Sequence, residues 1–227
     1  MPLRAAAPRR SFIVRAGAAM LCCALAAGVA AQARAPAGAP QKVLRYAMRI
    51  AETGFDPAQV TDLYSNTLIA NVFEAPYLIE FQARPVRVRP NTAVAMPEVS
   101  ADFTTFTVRI KPGIFFADDP AFDGKKRELV AEDYVYAIKR HFDPRWKSGK
   151  LSGLQNNKML GLDELRDAAI KGKKPFDYDT PAEGLKAIDR YTLRFKLAQP
   201  TPRFIDELTD PATVGAVARE VVERYGD

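Results

Sequence analysis

The run from Met96 to Pro144, MPEVSADFTTFTVRIKPGIFFADDPAFDGKKRELVAEDYVYAIKRHFDP, constrains this chain more than any other stretch. Phe106, Val108 and Ile110 alternate with Thr105, Thr107 and Arg109, the period-two pattern of a half-buried strand. Lys111-Pro112-Gly113 then turns the chain, because proline presets φ and glycine admits a positive value. Glu132 to Phe142 reads as a helix, with Tyr134, Ile138 and Phe142 on one stripe and Ala131 and Val135 beside it. Glu132 and Asp133 open it and Lys139, Arg140 and His141 close it. That order complements the helix dipole at about 0.3–1 kcal/mol per charge and makes His141 a dipole partner. Asp143-Pro144 ends the helix.

The N-terminus is set apart from the fold. Residues 1–33 hold Arg4, Arg9, Arg10 and Arg15 and no acid, then an apolar stretch from Ala16 to Ala31, then Ala31-Gln32-Ala33 as a small-x-small cleavage site. This is the pattern of a signal peptide. The stretch is short of the roughly 20 apolar residues a spanning helix needs. The other reading is an uncleaved anchor. Arg9-Arg10-Ser11-Phe12-Ile13 partly matches a twin-arginine signal, but Pro8 and Val14 fit poorly, which favours the general secretory route. Both cysteines, Cys22 and Cys23, lie in the apolar stretch and follow Leu21 and Cys22, not the small residue a lipoprotein signal requires. Without residues 1–33 no cysteine is left for disulfides, thiolate metal sites or nucleophiles.

The net charge of +6 comes from 33 basic and 27 acidic residues. Four of the basic residues belong to the signal, so 29 remain against 27, a balance of +2. No long basic run argues for nucleic acid. Gly124-Lys125-Lys126-Arg127 and Lys171-Gly172-Lys173-Lys174 read as solvated loops.

Residues 34–41 (RAPAGAPQ) form a flexible lead-in and Lys42 to Ala47 a first strand, followed by a turn at Gly54, Asp56 and Pro57. Asp62 caps a helix through Val72 whose apolar face is Tyr64, Leu68 and Val72, widened by Ile69 and Phe73. Val86 to Arg89 alternates and stops at Pro90. Arg145 to Lys158 is polar and rich in Gly, Ser and Asn, and reads as a loop. Asp189-Arg190 turns into a second strand with Leu193, Phe195 and Leu197 inward. Pro200 and Pro202 precede a short helix from Phe204 to Leu208. Short strands with separate helices predict an α/β or mixed α+β fold with a mixed sheet.

From about Val43 onward the chain resembles the family 5 extracellular solute-binding proteins, the oligopeptide- and dipeptide-binding components of ABC importers. The resemblance rests on pieces in family order. They are Asp56-Pro57, Asn71 to Glu74, Pro97 to Ser100, Phe106 to Gly113, Asp118 to Phe122, Gly124 to Leu129, Ala131 to Tyr136, and Val221 to Asp227. Three positions depart. Phe103 stands where a turn glycine is usual, Val130 where a capping threonine is usual, and Ala218 where proline is frequent. The resemblance implies a periplasmic-binding-protein-like type II fold, here incomplete. Residues 42–60 would be the first segment of lobe one, 61–217 an inserted subdomain, and 218–227 the start of the return to lobe one. The second lobe would be missing. It also implies a monomer in the periplasm that binds a peptide or other small solute without cofactor, metal or nucleic acid and hands it to an ABC permease in the cytoplasmic membrane.

Such a protein needs a concave, largely dry cleft with a few placed polar groups, and hinge closure around the solute. The segment Ala51-Glu52-Thr53-Gly54-Phe55 is the first candidate to line it, with Glu52 set to meet a ligand amine; the other reading of Glu52 is a solvated loop acid. Trp146, the single tryptophan, approaches the cleft by resemblance or packs on its own subdomain. Asp210 is the third candidate. Phe115, Phe116 and Phe122 are assigned to the subdomain core. No catalytic residues are expected. There is no Gly-rich phosphate loop, His-rich motif or G-x-S-x-G elbow, and the adjacent pairs Asp118-Asp119 and Glu132-Asp133 diverge too far to act as acid–base couples. The alternative to a solute binder is a truncated remnant that acts as an interaction module or binds no ligand.

Overall fold

The computed structural model describes residues 43–226, so the expected signal peptide, its cleavage site, Cys22 and Cys23, and the lead-in at 34–41 lie outside the described residues. The chain divides into two compact units, residues 1–47 and 48–227. In the first, residues 43–47 take no regular structure and are exposed, Leu44 at 92% and Tyr46 at 77%. The first strand expected at Lys42–Ala47 is therefore not formed among its described residues. A strand is stabilised by its neighbour's ladder, and these residues occupy no ladder position.

The second unit runs in order through α1 (Leu63–Val72), β1 (Tyr77–Glu80), β2 (Arg87–Pro90), β3 (Glu98–Val99), β4 (Thr105–Arg109), a 3-10 turn (Pro120–Phe122) and α2 (Ala131–Phe142). It continues through α3 (Leu151–Asn156), α4 (Leu162–Gly172), β5 (Leu185–Asp189), β6 (Thr192–Lys196), α5 (Phe204–Glu207), α6 (Pro211–Val214) and α7 (Arg219–Tyr225). β1 and β2 pair as one antiparallel ribbon; β3-β4-β6-β5 form a second sheet. Every pairing is antiparallel, not mixed as expected. β5 and β6 join through a tight turn and β3 and β4 through a short one; the helical connection from β4 returns the chain at β5, which runs parallel to β4 but is separated from it by β6, so no two neighbouring strands are parallel.

The register explains the core. Phe106 lies opposite Phe195 and Val108 opposite Leu193, so both apolar pairs face the same side of the sheet. α2 packs on that side against β5 and β6, burying Tyr134, Val135, Ile138 and Phe142. Phe204 of α5 inserts its ring 5.0 Å from Phe106 and 5.1 Å from Phe195. Burial of such aromatic side chains contributes about 2–3 kcal/mol each. No helix among the described residues is long and apolar enough to cross a membrane.

Several local readings change. α1 starts at the expected cap, with Asp62 Oδ1 accepting from Ser65 N at 2.9 Å. Its buried face, however, is Ser65 and Ile69; Val72 is 65% exposed, and Leu63 is exposed too. Residues 145–158 are not all loop, because 151–156 form α3, anchored by buried Leu154. α4 and β5 form where the sequence pattern predicts no element. His141 is buried, not a charged dipole partner: Ser148 Oγ stands 2.7 Å from its Nδ1, and the ring also hydrogen-bonds the Thr213 backbone. Burial, with the Arg140 charge beside it, pushes its pKa down to about 4. Arg127 is no solvated loop residue. Its guanidinium grips Asp133 Oδ1 at 2.6 Å and Glu220 Oε1 at 2.8 Å, tying α7 to α2.

The sequence departures leave visible traces. Phe103 turns β3 into β4 with φ +54°, a left-handed conformation that a side chain resists. Val130 caps α2 without a side-chain acceptor. Only the return bond forms, with Asp133 Oδ2 accepting from Val130 N at 2.8 Å. Phe103→Gly, by relieving the backbone, and Val130→Thr, by supplying the missing acceptor, should each raise stability by about 0.5–1 kcal/mol. Urea unfolding should then show a higher midpoint with an unchanged slope.

Acid should weaken the fold through His141. The unfolded imidazole takes up a proton near pH 6.5, the folded one only near 4. Stability therefore falls as pH drops from 6.5 toward 4, by about 3 kcal/mol for this residue, and levels off below. His141→Asn should flatten that window in urea titrations run from pH 7 to 4.

Candidate functional site

A groove of about 570 Å³ opens on the second unit. Phe55, Val72, Phe73, Phe116, Val221 and Tyr225 supply its apolar surface, while Asp118 and Asp119 stand among the lining carboxylates. Three parts of the chain converge here: the turn before α1 with the end of α1, the loop leading into the 3-10 turn, and α7. Tyr225 remains 55% exposed and Phe55 51%. Asp119 caps the 3-10 turn by accepting from Ala121 N at 2.7 Å, and Asp118 is paired with Lys126 at 2.7 Å.

An ion pair ties the turn before α1 to α2. Arg140, 2% exposed near the end of α2, donates from Nη1 to Asp56 Oδ1 at 2.7 Å and from Nη2 to Asp56 Oδ2 at 2.6 Å. Asp56 also accepts from Ala58 N and Gln59 Nε2, so its turn is wound around the same carboxylate. Burial pushes the Asp56 carboxyl up, but the Arg140 guanidinium outweighs it and holds the pKa below the usual carboxylate range. Burial likewise opposes the Arg140 charge, and Asp56 overcomes it. The other face of the guanidinium lies over the Trp146 ring, 4.7 Å from its centroid, and Arg145 stacks on the same indole at 4.2 Å. Trp146 Nε1 donates to Tyr178 Oη at 3.0 Å, and Tyr178 Oη donates to Asp143 Oδ2 at 2.7 Å.

Among the candidates, Phe55 lines the groove directly. Gly54 is half-buried, and Glu52 and Thr53 precede it in an exposed loop. Thr53 anchors that loop to α1, donating from Oγ1 to Asp62 Oδ2 at 2.6 Å and from N to Ser65 Oγ at 2.9 Å. The Ser65 amide and the Thr53 hydroxyl hold the Asp62 pKa down to about 2. Trp146 does not line the groove; it stacks on Arg140 and borders an adjoining concavity with Val222 and Gly226, two residues that the groove shares. Asp210 stands apart as the cap of α6, accepting from Ala212 N at 3.0 Å and Thr213 Oγ1 at 2.5 Å, which engages both carboxylate oxygens. Phe122 is buried as expected, yet together with Phe116 it also lines the groove; Phe115, assigned to the core, is 53% exposed. Arg140 and the wall residues Val72, Val221 and Tyr225 escaped sequence reasoning. The Asp-Pro turn and the basic end of α2 were both visible, but nothing in the chain marks a pairing across 84 positions.

Residues 87–222 match the family described as bacterial extracellular solute-binding proteins, family 5 Middle. The periplasmic oligopeptide-binding protein OppA of Escherichia coli (strain K12) is 28% identical over 222 residues, covering 96% of this chain and 36% of that protein. Among solved structures, the peptide-binding pheromone receptor PrgZ superposes with a TM-score of 0.57 at 29% identity, over 78% of this chain and 31% of its own. Haemophilus influenzae OppA in complex with RPPGFSPFR superposes with a TM-score of 0.62 at 24% identity, over 78% of this chain and 30% of its own. The helices and strands thus form part of the periplasmic binding-protein fold, and the chain spans about a third of the length of these relatives.

Arg140→Lys keeps the charge but loses the two-pronged grip on Asp56. It should cost about 2–4 kcal/mol, since a half-buried carboxylate is left poorly partnered. Limited proteolysis should then cut the 52–58 turn first.

Proposed function

This chain belongs to the bacterial extracellular solute-binding proteins, family 5, and from that premise we propose that it is an exported binding component of an ABC importer. It captures peptides or similar small solutes in the periplasm and delivers them, chemically unchanged, to a permease in the cytoplasmic membrane. The observation that carries this reading is the family match over residues 87–222; the peptide-binding relatives support the ligand class. In this proposal residues 42–60 are the first segment of lobe one, 61–217 the inserted subdomain and 218–227 the start of the return.

The candidate loop has the chemistry for the task. Glu52 is exposed with no partner among the described residues and can take a peptide amine, while Phe55 offers an apolar seat beside it. Thr53 and the Arg140–Asp56 pair keep the loop from collapsing, which lowers the ordering cost of binding. Pairing along a peptide backbone would leave side chains to roomy pockets and tolerate many sequences.

A second reading has its own support. The chain spans 36% of the length of its Escherichia coli relative and presents Phe55, Val72 and Tyr225 to solvent around one groove. Such a surface suits an interaction module that engages another protein.

Calorimetric titration of the purified protein with peptides of two to nine residues separates the two. Saturable binding, weakened at least tenfold by Glu52→Gln and by Phe55→Ala, is the expected result. Folded protein that binds none of the peptides but co-elutes stoichiometrically with another protein would leave the second reading standing alone.

A further inference from the structure

A second concavity, of about 480 Å³, shares no residue with the groove. It lies between the end of α4 and the segment that follows α2. Its surface includes Pro144, Ala169, Ile170, Pro175 and Phe176. Phe176 is 6% exposed and sets its ring 5.1 Å from Tyr178, edge to face, so the apolar floor is fixed. Ile170 is 50% exposed on its wall, more than an aliphatic side chain in a packed helix usually shows.

The rim is cationic. Lys173 ends α4 in a left-handed conformation (φ +46°), and Lys174 N donates to Ala169 O at 3.2 Å, which brings two consecutive lysines to the cleft. Neither ammonium has an ion-pair or hydrogen-bond partner among the described residues. By contrast Lys171, on the same helix, is paired with Asp167 at 2.9 Å. Arg145 also lines the cleft but is paired with Asp143 at 3.6 Å and stacked on Trp146, so the surplus charge is that of the two lysines. The one carboxylate there, Asp143, is 4% exposed and already accepts from Tyr178 Oη and Arg145 N. The cleft therefore joins a fixed apolar floor to a surplus of positive charge.

We propose that this cleft binds a small amphipathic anion, with an apolar body against Ile170, Pro175 and Phe176 and a carboxylate toward Lys173 and Lys174. The volume is that of a small-molecule site, and a concave apolar wall with a few placed polar groups is how such sites select. An acidic protein segment would need a longer, open trough. The two lysines lie at solvent-exposed positions, where an ammonium–carboxylate contact alone is weak; affinity has to come from the floor and selectivity from the charge.

The test uses the full chain, with 1-naphthylacetate as probe and its neutral isostere 1-naphthylacetamide as control, by isothermal titration at 50 mM salt. The acid should bind at one site, and the amide at least tenfold more weakly. The double variant Lys173→Gln/Lys174→Gln should weaken the acid at least tenfold, and Ile170→Asn should weaken it at least fivefold. Lys125→Gln, which removes a cation from another loop, should leave it unchanged. Circular dichroism melting confirms that each variant is folded, and all these positions are exposed enough to accept the change. Equal binding of acid and amide, wild-type affinity in the double lysine variant, or no binding of the acid at all overturns the proposal. None of these outcomes depends on whether the protein binds peptides.

Discussion

The buried pairing of Arg140 with Asp56 is the constraint on which the rest of the second unit's working surface depends. A guanidinium taken almost fully out of water must be matched by a carboxylate in good geometry, or the helix that carries it is destabilised. Here the match comes from a turn that lies 84 residues away in the chain and contributes no regular secondary structure. The turn in turn orders Gln59 and Val60 through the Asp56 backbone carbonyl, and Val60 packs with Ile69 and Ala212 in a small cluster beneath α1. α1, the turn and α6 are thus held by a charge on the far side of α2, whose opposite face is committed to the sheet. The same helix serves as the floor of the core and as the anchor of the groove.

What the sequence discloses and what it hides divide along physical lines. β4, β6 and α2 were legible because each buries one face fully, and burial imposes a period: Phe106 and Val108 on one strand, Leu193 and Phe195 on the other, Tyr134, Ile138 and Phe142 on the helix. α3 was not, since a six-residue helix holding Ser152, Gly153 and Asn156 is stabilised by burying Leu154 and not by its own propensity. The buried edge of α1 is Ser65 with Ile69, and a serine that bonds Thr53 looks polar in a pattern of apolar residues. The candidate loop at 52–55 was found through family resemblance. The walls that give it depth come from segments whose apolar residues look, one at a time, like ordinary surface.

Charge was the least readable property. Arg127 lies in a run of basic residues that looks solvated, yet it bridges Asp133 and Glu220 and fastens α7, a helix with no fully buried residue of its own. His141 sits where a helix rewards a positive charge but is enclosed so completely that the neutral ring prevails. Lys173 and Lys174, from a similar basic run, are left without partners among the described residues. In each case the sequence supplies the ionisable group, and the enclosure and partners decided by tertiary packing determine its state.

Trp146 is this chain's only indole, and it rests on the guanidinium that holds Asp56. A protein with a single such ring carries a built-in optical gauge, and here the gauge touches that linkage as well as Arg145 and Tyr178. Whatever loosens Arg140 from its carboxylate alters the polarity around the ring, and the emission colour follows. The state of the turn beneath the groove can thus be watched in an unlabelled sample.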